Sequence, residues 1–168
     1  MKRTFRARAV VATTAAVALT IAAGAGVAQA GDDDKRPGKP GEREIAALFG
    51  QWNAALQTGD ARTVADKYAA DAVLLPTVSP QIRTDRAGIV DYFEHFLAKK
   101  PRGEKIRSVV NVLDHNSALD AGLYRFHLTD PATGKVSQVV ARYTYAYEKR
   151  GGKWLIVNHH SSVLPADG

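Results

Sequence analysis

The chain has 168 residues, with 23 Lys and Arg against 17 Asp and Glu, five His and no Cys. That length fits one domain able to bury roughly two thirds of its unfolded surface. The missing cysteine excludes a disulfide scaffold, a thiolate metal site, a cysteine nucleophile and a cysteine-linked lipid anchor. The formal charge of +6 is concentrated at one end: Lys2, Arg3, Arg6 and Arg8 come before any acid, and residues 31–168 carry 19 bases against 17 acids. A nearly balanced domain has no electrostatic footprint for nucleic acid.

Those four cations lead into an uncharged Ala- and Val-rich run over 9–27, and then into Ala28-Gln29-Ala30. Cations, an apolar run and a small-x-small end predict a signal peptide over 1–30, cleaved after Ala30, and a secreted protein. No Arg-Arg pair is present, so the general secretory route is expected. A stable membrane anchor is the weaker reading, because the 18 residues of 10–27 are mostly Ala, Thr and Gly, at the short limit for crossing hydrocarbon. Residues 31–41 (GDDDKRPGKPG) have no apolar side chain and predict a flexible linker, which leaves one domain over 42–165.

Ile45, Leu48, Phe49, Trp52 and Leu56 fall at i, i+3, i+4, i+7 and i+11, an apolar stripe that predicts a helix over 42–58. Gly59 suits a left-handed stop, and Asp60 can cap a second helix over 61–70 that buries Val64 and Tyr68. Residues 72–75 (AVLL) predict a short buried strand ended by Pro76, with 81–84 as a hairpin partner. Thr84 or Asp85 caps a third helix carrying Ile89, Val90, Phe93, Phe96 and Leu97, and Pro101 marks its end. Strands follow over 105–113, 121–129, 135–148 and 154–163, separated by turn residues at 114–117, 130–134 and 150–152. Short connections imply antiparallel neighbours. The predicted class is α+β, with three helices on one face of a curved antiparallel sheet.

The strand faces carry the chemistry. Leu123, Arg125, His127 and Thr129 share one face of their strand, opposite Tyr124, Phe126 and Leu128. Arg142, Thr144, Ala146 and Glu148 oppose Val139, Ala141, Tyr143, Tyr145 and Tyr147. In the last strand, Trp154, Ile156, Asn158, His160 and Ser162 oppose Leu155, Val157, His159, Ser161 and Val163. Alternation favours the aromatic face on the core and the Arg/His face in water. The reverse, with Arg125, His127 and Arg142 in a pocket and the tyrosines between subunits, stays open. Adjacent His159 and His160 point to opposite faces and cannot chelate one ion, so no metal site is expected. There is no glycine-rich phosphate loop and no nucleophile elbow. No catalytic set and no cofactor site is recognisable.

Leu56-Gln57-Thr58-Gly59-Asp60, Tyr68-Ala69-Ala70-Asp71-Ala72-Val73-Leu74-Leu75-Pro76 and above all the ending from Gly152-Lys153-Trp154 to His160-Ser161-Ser162 resemble the nuclear transport factor 2-like superfamily. Within it, the chain resembles bacterial relatives of the calcium/calmodulin-dependent protein kinase II association domain, with SgcJ/EcaC and SnoaL-like groups as neighbours. The resemblance implies a cone-like roll with a pocket between the helices and the concave sheet, and a homodimer or higher oligomer formed through the sheet. It sets Arg125 at a pocket arginine and His160 at the histidine after the tryptophan, which favours the inward reading of the Arg face. With His127, Arg142, Trp52 and Tyr68 they form the candidate ligand-binding set. Tyr145 stands where the family has another arginine and Arg142 where it has an acid, so the pocket is related but not equivalent. No kinase catalytic domain accompanies the resemblance. The expected function is self-association with binding of a small polar or anionic molecule, since a partly buried guanidinium favours a carboxylate-like partner. The alternative is a SnoaL/SgcJ-like enzyme of isomerase, cyclase or oxidoreductase type on a polyketide-like molecule, with His160, His127 or Asp71 moving a proton. A third possibility is a structural module using the Tyr143, Tyr145 and Tyr147 ribbon as its contact surface.

Overall fold

The structure, a computed structural model, describes residues 38–77 and 79–165. The expected signal peptide and the first seven residues of the expected linker lie outside the described residues. The first helix, α1 (Glu42–Gln57), has Glu42 and Glu44 in its first turn, where carboxylates suit the helix dipole, and buries the predicted stripe. Gly59 takes φ 72°, and Asp60 caps α2 (Ala61–Ala65) by accepting the Arg62 and Thr63 N–H groups.

Helix α2 is shorter than the sequence suggests. The chain leaves it at Asp66 and runs on as strand β1 (Tyr68–Leu75), so Tyr68 is a strand residue. The cause is long-range pairing: the Lys67 carbonyl accepts the Ile156 N–H at 2.9 Å, and β1 then runs parallel to the last strand. A five-residue helix has too few internal bonds to compete. The hairpin expected at 81–84 is reduced to one bridge, in which Leu74 and Arg83 exchange backbone bonds of 2.8 and 3.0 Å. Helix α3 (Arg86–Leu97) is capped by Asp85, which accepts the Gly88 N–H at 2.8 Å, and buries Ile89, Phe93 and Leu97.

Four long strands follow: β2 (Arg102–Val112), β3 (Ser117–Thr129), β4 (Val136–Arg150) and β5 (Lys153–Val163). They form an antiparallel meander, and β1 joins its far edge to give a mixed sheet of order β1-β5-β4-β3-β2. A bulge shifts the β4–β5 register after Ala146, where Asn158 is paired with Ala146 but Ile156 with Tyr147. It leaves Val157 unpaired and turns Ile156 onto the same face as His159 and Ser161, not the face expected from strict alternation.

The helices pack on the aromatic face. Tyr124, Phe126, Tyr143, Tyr145, Tyr147 and Ile156 from the sheet are buried against Phe49 and Trp52 of α1 and Phe93 of α3. The tyrosine ribbon is therefore core and not a contact between subunits. Burying such rings contributes roughly 1.5–3 kcal/mol each, whereas an inward guanidinium would have to be stripped of water. The edge strand β2 is held by side chains. Asn53 of α1 accepts the Gly103 N–H at 2.8 Å and donates to its carbonyl at 3.0 Å. Lys105 bonds Asp120 at 2.7 Å and the Ala46 carbonyl at 2.9 Å. Among the described residues, no helix is long and apolar enough to cross a membrane.

Candidate functional site

Between α3 and the aromatic face lies a narrow cleft of about 50 Å³. Tyr92, Phe93 and Phe96 of α3 form one wall, and Phe126, Leu128 and Val139 form the other. They do so because Phe93 lies on the buried stripe of α3 and Phe126 alternates inward on β3. Among the cleft-lining residues there is no Asp, Glu, Lys or Arg. Charges lie next to it, in a groove that shares Tyr92 and Phe96 and also contains Arg83, Asp91, His95 and Lys99. There Arg83 is engaged by the Gly88 carbonyl at 3.1 Å and by Asp91 at 3.3 Å.

At the back of the cleft runs a connected series of neutral polar groups. Trp52 Nε1 donates to the Tyr68 hydroxyl at 3.1 Å, which lies 2.9 Å from Nδ1 of His159. Nε2 of His159 is 3.5 Å from the Tyr124 hydroxyl, which donates to Ser161, and Ser161 bonds Thr77. An indole N–H can only donate, so the Tyr68 hydroxyl accepts from Trp52 and shares a second hydrogen bond with Nδ1 of His159. Tyr145 stacks on the imidazole with ring centroids 4.1 Å apart.

None of these groups ionises near neutral pH. Burial, and secondarily the neighbouring His160, lowers His159 to about 3. Burial holds Tyr68 and Tyr124 well above the ordinary phenol value and pushes Tyr92 up to about 12. The cleft can orient a molecule by hydrogen bonding and apolar contact, but it holds no acid or base poised to exchange a proton at neutral pH.

Of the six residues expected to bind ligand, Trp52 and Tyr68 lie on the helix side, Trp52 lining the cleft and Tyr68 bonded behind it. Arg125, His127, Arg142 and His160 do not join them, which corrects the inward reading of that face. Arg125 pairs with Glu104 at 3.2 Å, and His127 lies 3.7 Å from the same carboxylate. Arg142 and His160 are exposed and share a shallow surface hollow with Thr144 and Ser162. The third proton-transfer candidate, Asp71, is also exposed, and its bond to Arg150 at 2.6 Å holds its carboxyl below the usual range. Sequence reasoning gave weight to His160 and passed over its neighbour. His159, Ser161 and Tyr124 were nonetheless visible as polar groups on an otherwise apolar face, where each needs a partner. Among the described residues, no cluster of three His, Cys, Asp or Glu could hold a metal ion.

The sequence model of the calcium/calmodulin dependent protein kinase II association domain matches residues 41–165. No functionally curated protein matches the chain. A Xanthomonas campestris crystal structure, described provisionally as such an association domain, is 60% identical, with a TM-score of 0.73 over 75% of this chain and 90% of that one. A nuclear transport factor 2-like protein with a cystatin-like fold from Novosphingobium aromaticivorans has a TM-score of 0.62 at 15% identity, covering 75% of this chain and 84% of that one. A Streptomyces avermitilis protein of the nuclear transport factor 2-like family, provisionally described as a dehydratase, has a TM-score of 0.65 at 14% identity, covering 74% and 96%. The last two share the fold, a cone-like α+β roll with helices on the concave face of the sheet. With the family model matching residues 41–165 and a relative at 60% identity, the chain belongs to the calcium/calmodulin-dependent protein kinase II association domain family.

Proposed function

We propose that this chain is an exported association module, in which copies pair through the bare face of the sheet and each copy holds a small molecule in its cleft. The observation that carries self-association is the composition of the face turned away from the helices. Across its middle, Val109, Ala121, Leu119, Leu123 and Val140 lie on adjacent strands in register. Val109 is 48% exposed in the single chain, and Val136 at the end of the same face is 59% exposed. These apolar side chains, set among Arg107, Arg142 and Thr144 on the same face, suit burial against a second copy. Arg125, Arg142, His127 and His160 then form the polar surround of that contact, in place of the pocket role expected of them. The ligand reading rests on the enclosed aromatic cleft, and its uncharged lining favours an uncharged molecule over an anion. Export rests on the cations, apolar run and Ala28-Gln29-Ala30 ending of the amino-terminal segment.

Sedimentation of the purified domain tests the central reading. The wild-type protein is expected as a dimer or larger, and Leu123→Glu as a folded monomer with little change in Tm. A wild-type protein that stays monomeric at high concentration overturns the proposal. Amino-terminal sequencing of protein from the culture medium, expected to begin at Gly31, tests export.

A further inference from the structure

On the face turned away from the helices, β4 and β5 bring four polar side chains into one square. Arg142 is paired across the strands with Ser162, and Thr144 with His160, so all four stand on the same side of the sheet. They line a shallow hollow with Tyr143, whose ring lies on the opposite, buried face. Corners of such a square lie about 5 Å apart across the strands and about 7 Å apart along them, close enough for side chains to converge on one small ion. A guanidinium, an imidazole and two hydroxyls can all donate, and no Asp or Glu lines the hollow. Carboxylates of the neighbouring strands are engaged elsewhere: Glu104 with Arg125 and His127, Glu148 and Asp71 with Arg150. Among the described residues, the exposed Arg142 has no ion-pair partner.

We infer that this hollow binds a free tetrahedral oxyanion of the phosphate class, and that the bound ion strengthens the pairing of two copies through this face. The assignment rests on the pairing reading above and adds what regulates it. Arg107 and Arg142 flank Leu123 in register on the same face, and a two-fold contact between copies doubles every such charge. Like charges brought together and stripped of water oppose association. An oxyanion at Arg142 offsets that charge, because a guanidinium matches two oxygens of such an ion at once and the hydroxyls of Thr144 and Ser162 can donate to the others. An organic tail on the ion would come between the two faces, so the ligand is the free ion.

Inorganic phosphate exchanged for chloride at constant ionic strength, with the full chain, tests this by two measurements. In an NMR titration the amide resonances of Arg142, Thr144, His160 and Ser162 should shift and saturate, and Arg142→Gln should weaken the binding about tenfold. In sedimentation equilibrium, saturating phosphate should lower the dissociation constant of the wild-type pair about fivefold. Arg142→Gln sheds the like charge and should pair as well in chloride as in phosphate. No saturable shift at these amides, phosphate held as well by Arg142→Gln, or equal pairing of the wild type in both salts overturns the inference and leaves association through the sheet standing. A wild type that stays monomeric in both salts removes the pairing reading, and the inference with it.

Discussion

The Tyr68 hydroxyl and Nδ1 of His159 share a hydrogen bond of 2.9 Å, which joins the edge strand β1 to its strand partner β5 inside the core. Tyr68 also accepts the Trp52 indole N–H, so one hydroxyl ties α1, β1 and β5 together.

Burial holds His159 at about 3 against an ordinary value of 6.5. Between these values the unfolded chain binds a proton and the folded chain does not, so stability is complete above pH 6.5 and falls as acid is added. The slope is about 1.4 kcal/mol per pH unit, or about 2 kcal/mol from pH 6.5 to 5, a window above the carboxylate titrations. Urea unfolding at the two pH values measures it. His159→Gln should lower stability at pH 7 and flatten the acid dependence; an equal slope in both proteins would exclude His159 as its source.

Asp120 is fully buried and is bonded by Lys105, Ser108 and the Tyr143 hydroxyl. Lys105→Met leaves that carboxylate without its cation and should cost about 3–5 kcal/mol. Replacing both partners, Lys105→Met with Asp120→Leu, should recover much of the loss. Denaturant midpoints for the single and double variants give the comparison.

Gly122 faces a shift in register between Lys105 and Arg107 on β2. A methyl group there would sit 1.9 Å from the Arg107 carbonyl oxygen, a backbone atom that cannot swing aside. Gly122→Ala is therefore expected to destabilise by about 1–3 kcal/mol, with a chemical-shift change confined to β2 and β3. A Tm equal to wild type would contradict this.

The hydroxyls of Tyr145 and Tyr147 are buried and have no hydrogen-bond partner among the described residues. Tyr145→Phe keeps the stacking on His159 and removes an unmet polar atom, so calorimetry should show stability unchanged or raised by about 1 kcal/mol. A clear loss would mean that the hydroxyl has a partner in solution.

Much of the architecture was readable from side-chain spacing. The stripe from Ile45 to Leu56 marks α1, and the alternation of Tyr124 with Arg125 and of Tyr143 with Arg142 marks both faces of β3 and β4. Residue pattern alone also favoured the tyrosine face as the core. The family resemblance drew Arg125 and Arg142 inward, and the structure agrees with the pattern, because the aromatic rings of that face pack against α1 and α3. Features set by contacts far along the chain were hidden. Tyr68 looks helical until β5 supplies its main-chain partners, and nothing local to Val157 announces the bulge that moves Ile156 across the sheet. The polar chain behind the cleft was hidden for the same reason, since its six members come from α1, β1, the residue at 77, β3 and β5.

The sheet order places β5, the last of the described strands along the chain, between β1 and β4. Until residues 153–163 leave the ribosome, β1 has no neighbour and the tyrosine face of β4 has an open flank. Completion of this fold thus waits on β5, and a chain cut short before Lys153 would lose two strand pairings at once.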